Sequence, residues 1–201
     1  RRGKLDDPVS IKHLKRFVSD VEMDAAVKHY SPRISIAPDA PRVAIVGAGP
    51  AGITAAYHLL HKGYQVEIFE ALDEPGGMAA VGIPDYRLPR EVLRSEVDVL
   101  LKMGGKIHYN QRLGQDFTIQ SLKEQGFRAV FLAIGAQDGS NMRCEGEDQN
   151  PIGYFAGVKF LRAINRNEPV DAGRRVVVVG GGNVAMDCAR SALRLGVEGV
   201  H

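Results

Sequence analysis

The stretch Val43-Ala44-Ile45-Val46-Gly47-Ala48-Gly49-Pro50-Ala51-Gly52 carries most of the information about the fold. Its first four residues form a short apolar run, which is typical of a strand buried on both faces of a parallel sheet. The next six satisfy the pattern G-x-G-x-x-G, and apolar residues at helical spacing continue as far as Gly63. A second strand is predicted over residues 65–69 and is followed by Glu70. Strand, glycine turn, helix and strand within about 30 residues indicate a βαβ unit.

The glycine turn in this unit has the residues that a dinucleotide fingerprint needs. Gly47 permits the tight turn, Gly49 lets a pyrophosphate approach the backbone, and Gly52 lets helix and strand pack closely. The helix N-terminus can then hold the phosphate charge, and Glu70 can accept hydrogen bonds from both hydroxyls of a ribose. The open alternative is a turn that only connects strand to helix. The residues predicted to surround the ligand are Gly47, Gly49, Pro50, Ala51, Gly52 and Glu70.

A second glycine-rich turn follows four consecutive valines at residues 176–179 and opens another helix. Alanine stands at the third key position of the pattern and still permits close packing. A chain with two such turns needs two nucleotides, and a flavin with a nicotinamide is the common redox pair. The open alternative is a degenerate turn that binds nothing. The residues predicted to contact the second nucleotide are Gly180, Gly181, Gly182, Asn183, Val184 and Ala185.

The composition excludes several other classes of function. The 201 residues include 26 Lys and Arg and 24 Asp and Glu, which gives a net charge of +2. This charge is too small to attract nucleic acid or an acidic membrane surface. Two cysteines, Cys144 and Cys188, cannot by themselves form a disulfide framework, a four-cysteine zinc site or an iron–sulfur cluster. No apolar run is long enough for a membrane span, and no secretory signal opens the sequence. We therefore expect a cytoplasmic α/β protein without a nucleic-acid or membrane partner.

The remaining patterns extend the fold on both sides of this unit. They predict a helix that starts at Asp7-Pro8, an extended connector over residues 24–41, and a glycine- and proline-rich loop over residues 71–89. Further predictions are helices over residues 90–103, 119–125, 158–165 and 184–195, strands over 106–109, 129–134 and 176–179, the last two buried, and a loop over 136–153. The fold class is therefore a Rossmann-like, doubly wound parallel sheet.

Five stretches resemble the FAD domains of flavoproteins that bind two dinucleotides. They are most similar to the small subunit of glutamate synthase and to the flavin-containing N-terminal part of dihydropyrimidine dehydrogenase. The most specific stretch is Gly82-Ile83-Pro84-Asp85-Tyr86-Arg87-Leu88-Pro89. The others are residues 43–52, 70–78, 130–136 and 180–195, so that the similarity spans nearly all of residues 41–196.

This resemblance implies FAD at the first glycine turn and NAD(P)H at the second. It implies that FAD is contacted by Arg87 and by the backbone around Gly77 and Met78. It also implies that Leu113 lies near the adenine and that the backbone at Ala133 and Gly135 approaches the flavin nucleotide. Without the resemblance, the favoured interpretation of Arg87 is a surface ion pair. The implied domains are the tail of an iron–sulfur-type domain at residues 1–40, the first part of an FAD-binding domain at 41–138, and the start of an NAD(P)-binding domain at 139–201.

The resemblance implies a flavoprotein oxidoreductase module that passes electrons from NAD(P)H through FAD to an iron–sulfur domain or subunit, with glutamate synthesis as the first candidate reaction. Residues 1–143 contain no cysteine, so any cluster belongs to upstream residues or to another chain. The alternatives are an adrenodoxin-type ferredoxin–NADP reductase and a non-catalytic FAD-binding subunit. No catalytic side chain or metal site is predicted, because hydride transfer needs alignment more than an acid or base. The sequence is expected to be the front half of a longer reductase.

Overall fold

The computed structural model describes residues 1–24, 32, 34–140, 142–149 and 151–201. These residues form two compact units, Arg1–Arg33 and Ile34–His201. The connector predicted for residues 24–41 and the loop predicted for residues 136–153 lie partly outside the described residues. None of the helices in the described ranges is long and apolar enough to cross a membrane.

The first unit contains helix α1 (Ile11–Met23). The predicted start of this helix at Asp7-Pro8 is wrong, because the N-cap is Ser10, whose carbonyl accepts the first helical hydrogen bond from the Leu14 amide. Asp and Ser are both favourable N-caps, so residue type alone could not distinguish the two positions.

The second unit contains a four-stranded parallel sheet. Its strands follow the spatial order β3-β2-β1-β4, which is the order of the first four strands of a Rossmann fold. Val46 at the end of β1 lies opposite Phe69 of β2 and Leu132 of β4, so the three strands end at the same edge. The predicted Rossmann-like α/β class is confirmed. The strands are β1 (Arg42–Val46), β2 (Gln65–Phe69), β3 (Lys106–His108) and β4 (Ala129–Leu132).

Helices on this sheet bury its core. The side chains of Ile45, Leu60, Ile68 and Leu100 are almost completely buried where β1, β2 and two helices meet. A four-residue helix lies inside the segment predicted to be loop over residues 71–89, and it is too short for its periodicity to be recognised. The helices are α2 (Pro50–His61), α3 (Met78–Val81), α4 (Arg90–Lys102) and α5 (Ile119–Glu124).

The last part of the unit is a two-stranded parallel sheet with two helices. Its elements are α6 (Gly157–Asn165), β5 (Arg175–Val176), α7 (Asn183–Arg194) and β6 (Gly199–Val200), and β5 pairs with β6. The prediction of a strand buried over residues 176–179 is wrong in length and burial: Val177 is 73% exposed and Val179 is 70% exposed. The reason is that Val176 and Val178 pack against α6 and α7, and their neighbours point to the opposite face.

The same error affects β4, which was predicted to be buried. Phe131 is 44% exposed and Leu132 is 50% exposed. β4 lies at the edge of the four-stranded sheet in the described part of the chain, so fewer elements cover it than cover β1.

Charged groups on the sheet meet at Glu67 of β2. Its carboxylate accepts a hydrogen bond from Arg42 at 2.8 Å, and its other oxygen lies 2.7 Å from His108 Nε2. Burial raises the pKa of Glu67, but the hydrogen bonds from Arg42 and His108, with the charges of Arg42 and Lys106, outweigh it and leave the pKa below its ordinary value. The ionised form of Glu67 therefore stabilises the fold.

We expect Glu67→Gln to lower the free energy of unfolding at neutral pH by about 1–2 kcal/mol. Because the pKa of Glu67 is lower in the folded than in the unfolded state, its contribution is present above the unfolded pKa and is lost as pH falls through the folded pKa. In urea unfolding followed by circular dichroism, the difference between wild type and variant should therefore stay constant between about pH 7 and about pH 5. It should narrow as pH falls below 4.5, the ordinary pKa of a glutamate. A difference that stays constant below that pH as well would contradict this assignment.

Candidate functional site

The first glycine turn connects β1 to α2, and the packing of the protein itself requires two of its glycines. Gly47 has a φ of 105°, and a Cβ on it would lie 2.4 Å from the carbonyl oxygen of Ala133. A Cβ on Gly52 would lie 1.9 Å from the carbonyl oxygen of Gly47. At Gly49, by contrast, the nearest protein atom to an added Cβ is 3.9 Å away. Gly49, followed by Pro50 and Ala51 in the first turn of α2, is thus the open part of the turn.

The loop after β2 returns to the same place. The Gly76 amide donates to the carbonyl of Ala48 at 2.7 Å. A Cβ on Gly77 would lie 3.0 Å from the Cα of Gly49, so the two backbones approach closely. Met78, the next residue, begins α3. The first glycine turn and the loop at Gly76 and Gly77 therefore form one surface at the N-terminus of α2.

Glu70 lies directly beside this surface. It is 6% exposed, and its two carboxylate oxygens accept hydrogen bonds from the Ala48 amide at 2.6 Å and the Leu72 amide at 2.8 Å. Each oxygen keeps lone-pair capacity for a further donor, such as a ribose hydroxyl. The Ala48 amide has no sequence signal of its own, because any residue except proline would offer an N–H at this position.

The other residues predicted for the first site lie around the same edge of the sheet. Ala133 donates its amide to the Val46 carbonyl at 2.8 Å, which brings the end of β4 to the glycine turn, and Gly135 follows on the exposed side. Leu113 is partly buried against the cluster that contains Val46 and Phe69. The structure therefore brings Ala133 to the glycine turn and keeps Leu113 near the end of β2.

Arg87 forms an ion pair with helix α7. Its Nη1 donates to Oδ2 of Asp187 on α7 at 2.6 Å, and the Asp187 side chain is 7% exposed. The hydrogen bond to Asp187 and the charge of that carboxylate raise the pKa of Arg87 above its ordinary value. Asp187 was not predicted from the sequence, because an acidic residue within a helix carries no local signal for a partner 100 positions away.

The second glycine turn connects β5 to α7 and is open. Among the described residues, no protein atom lies within 4 Å of a Cβ built on Gly181 or Gly182, and Gly182 caps α7, which begins at Asn183. A cavity of about 650 Å³ lies next to the turn, a volume in the range of small-molecule sites. Its walls include Gly180, Asn183, Val184, Ala185, Tyr154 and Phe155.

Cys188 lies on the wall of this cavity without the properties of a reactive thiol. Burial, with a smaller effect from the Asp187 charge, raises its pKa to about 11. A thiol with that pKa stays protonated at neutral pH and is a poor nucleophile.

Comparison with known proteins finds relatives along nearly the whole chain. A family model described as pyridine nucleotide-disulphide oxidoreductase matches residues 41–201. The chain is 46% identical over 221 residues to the NADP(+)-dependent formate dehydrogenase subunit beta of Moorella thermoacetica, covering 100% of this chain and 31% of that protein. It is 36% identical over 204 residues to the NAD-dependent dihydropyrimidine dehydrogenase subunit PreT of Escherichia coli O157:H7, covering 99% of this chain and 47% of that protein.

Solved structures give a consistent result. The structure of Mycobacterium tuberculosis FprA in complex with NADPH matches with a TM-score of 0.66 and 30% identity, over 75% of this chain and 36% of that chain. The chain spans less than half the length of each of these three proteins. The two curated relatives are named as subunits of larger oxidoreductases.

Proposed function

The chain belongs to the pyridine nucleotide-disulphide oxidoreductase family, and on this premise we propose that it is the part of a larger flavoprotein that receives electrons from NAD(P)H. The predicted family and the predicted cofactors, FAD and NAD(P)H, are confirmed by this membership. The observation that carries the proposal is the hydrogen bond from Ala48, inside the first glycine turn, to the buried carboxylate of Glu70. This bond fixes a ribose acceptor beside a phosphate-binding helix N-terminus.

We assign FAD to the first glycine turn. The open backbone at Gly49 and the first turn of α2 suit a pyrophosphate, because unpaired amides there face the ligand with the positive end of the helix dipole. Glu70 accepts hydrogen bonds from the ribose. The close approach of Gly77 to Gly49 continues this surface toward Met78. The remaining FAD contacts that we propose are Gly47, Pro50, Ala51, Gly52, Leu113, Ala133 and Gly135, with Arg87 as a contact from the resemblance alone.

We assign NAD(P)H to the second glycine turn. The space around Gly181 and Gly182 and the adjoining cavity support this assignment. The N-terminal amides of α7 supply the same phosphate-binding groups as those of α2. The side chains and backbone proposed to contact this nucleotide are Gly180, Gly181, Gly182, Asn183, Val184 and Ala185.

When bound, the flavin supplies the capacity to accept a hydride from the nicotinamide and to release electrons to a one-electron acceptor. The chain's own residues bind the two nucleotides and align them. Cys188 takes no part, because its raised pKa keeps it protonated.

We propose that an iron–sulfur domain or subunit accepts the electrons and sets the overall reaction. The relatives are named for different reactions, formate and dihydropyrimidine oxidation, which supports a shared electron-entry module with exchangeable partners. Helix α1 supports a docking role for residues 1–40, since five of its apolar residues are between 44% and 66% exposed: Ile11, Leu14, Phe17, Val18 and Val21. We also propose that the FAD-binding domain begins at residue 41 and the NAD(P)-binding domain at residue 139. The proposed location of the protein is the cytoplasm.

The proposed function is tested by anaerobic titration of the full-length, FAD-loaded protein with NADH and, separately, with NADPH. We expect the flavin absorbance at about 450 nm to decrease with at least one coenzyme. Subsequent addition of a one-electron acceptor should restore it. A folded, FAD-loaded protein that neither coenzyme bleaches is the outcome expected of a non-catalytic FAD-binding subunit and would contradict the proposal.

A further inference from the structure

The loop over residues 82–89, which we term the linking loop, joins α3 to α4 and contacts α7 through two side chains. Arg87 forms the 2.6 Å ion pair with Asp187, whose side chain is 7% exposed. A carboxylate this deeply buried requires a partner of opposite charge. Arg87 supplies that charge from a different part of the unit.

Tyr86 makes the second contact. The guanidinium carbon of Arg194 lies 3.8 Å from the centre of the Tyr86 ring, and that of Arg190 lies 4.9 Å from it. Arg194 is itself fixed by a hydrogen bond from its Nη1 to the Arg190 carbonyl at 3.0 Å. Both arginines belong to α7, so the ring is held against the same helix as Arg87.

The segment that leads into the linking loop is fixed to the first glycine turn. Gly76 donates to Ala48, and Gly77 approaches Gly49, as described above. Between these points, Asn165 of α6 donates to the carbonyl of Val81 at 2.9 Å and to that of Ile83 at 3.2 Å. Residues 76–87 therefore connect the first glycine turn to the helix that follows the second one.

We infer that Tyr86 and Asp187 are positioning residues, Asp187 acting through Arg87, and that they set the distance and orientation between the two nucleotide sites. The inference rests on the proposed function and adds to it which side chains align the two ligands. Transfer between bound groups depends steeply on their separation, whereas the affinity for each nucleotide depends on contacts in its own site. Loss of the contacts with α7 should therefore slow the transfer far more than it weakens binding.

The first test compares Asp187→Asn with Glu67→Gln in the full-length, FAD-loaded protein. Both changes neutralise a largely buried carboxylate that pairs with an arginine, but the partners of Glu67, Arg42 and His108, lie on strands of the first sheet. In anaerobic stopped-flow mixing with the coenzyme that reduces the protein, we expect Asp187→Asn to lower the limiting rate of flavin bleaching by about tenfold or more and to change the coenzyme dissociation constant by less than about threefold. Glu67→Gln should leave the limiting rate unchanged.

A second readout does not depend on turnover. Binding of the oxidised coenzyme to the oxidised protein perturbs the flavin absorbance spectrum when the nicotinamide lies against the flavin. At saturating coenzyme, Asp187→Asn should lose most of this perturbation and Glu67→Gln should retain it. A merely structural role of Asp187 would not separate the two variants in this measurement.

Tyr86 provides a pair of variants that remain informative if Asp187→Asn fails to fold. Tyr86→Leu removes the ring and should lower the limiting rate, whereas Tyr86→Phe keeps the ring and should retain it. If Tyr86→Leu and Tyr86→Phe have equal limiting rates, or if Asp187→Asn behaves like Glu67→Gln, the positioning role is wrong and the proposed function stands. A wild-type protein that neither coenzyme reduces would instead overturn the proposed function, and the positioning role with it.

Discussion

Gly52→Ala is expected to lower the free energy of unfolding by about 3 kcal/mol or more, or to prevent folding. Gly52 lies within α2, where alanine is intrinsically favoured over glycine by about 1 kcal/mol. The steric cost exceeds this gain, because the added Cβ would lie 1.9 Å from the carbonyl oxygen of Gly47 and 3.2 Å from Cγ2 of Ile45. Either α2 must move away from β1 or the glycine turn must deform.

Urea unfolding followed by far-UV circular dichroism measures this effect, with Gly181→Ala as the control. Gly181 belongs to the second glycine turn, but a Cβ there would contact no atom of the described part of the chain within 4 Å. Its replacement should change the free energy of unfolding by no more than about 0.5 kcal/mol. Equal stability of the two variants would show that α2 and β1 do not pack as closely as described.

Glu70→Gln is expected to lower both the stability and the affinity for FAD. The variant keeps one oxygen acceptor and presents an NH₂ group to the amide of Ala48 or of Leu72, so one of two amides loses its acceptor. An unsatisfied buried amide and the loss of a charge-assisted hydrogen bond should together cost about 2–4 kcal/mol of stability. Loss of the carboxylate at the ribose should weaken FAD binding by about tenfold or more.

Glu74→Gln, in the same loop, is the matched control, because it removes a nearby carboxylate and leaves the two amides with their partner. Chemical unfolding of the FAD-free protein and flavin fluorescence titration measure the two effects separately. If Glu70→Gln is destabilised while its FAD affinity matches that of Glu74→Gln, the ribose assignment is wrong. If neither quantity changes, the carboxylate does not bridge the two amides.

The sequence predicted the four-stranded sheet closely. The limits of β2 were predicted to the residue, and α4 and β3 were predicted to within one residue at their ends. β2 and β3 each begin within two residues of a glycine, Gly63 and Gly105, which limits where each strand can start. The periodicity of α4 is clear over three turns. The start of α1 and the four-residue α3 were not predicted, because competing caps and single helical turns leave no distinct pattern.

Burial could not be predicted from the same patterns. Residues 176–179 are as apolar as residues 43–46, yet Val177 and Val179 are exposed and Ile45 is fully buried. An apolar run indicates that a strand can be buried, whereas the number of elements that pack on it decides whether it is. β1 has a strand on each side and α2 against it, whereas β5 pairs with β6 alone in the described residues.

By itself, the sequence determined the Rossmann-like class and the two glycine turns, because these depend on the order of residues within about 30 positions of one another. The family and the cofactor pair followed from the resemblance over residues 41–196. The tertiary structure decided which groups meet across longer separations. It brought the Ala48 amide to Glu70, Gly77 to Gly49, and Asp187 to Arg87. Local sequence does not indicate which distant group each of these residues contacts. Only the packing of α2, α3 and α7 therefore specifies the pairs.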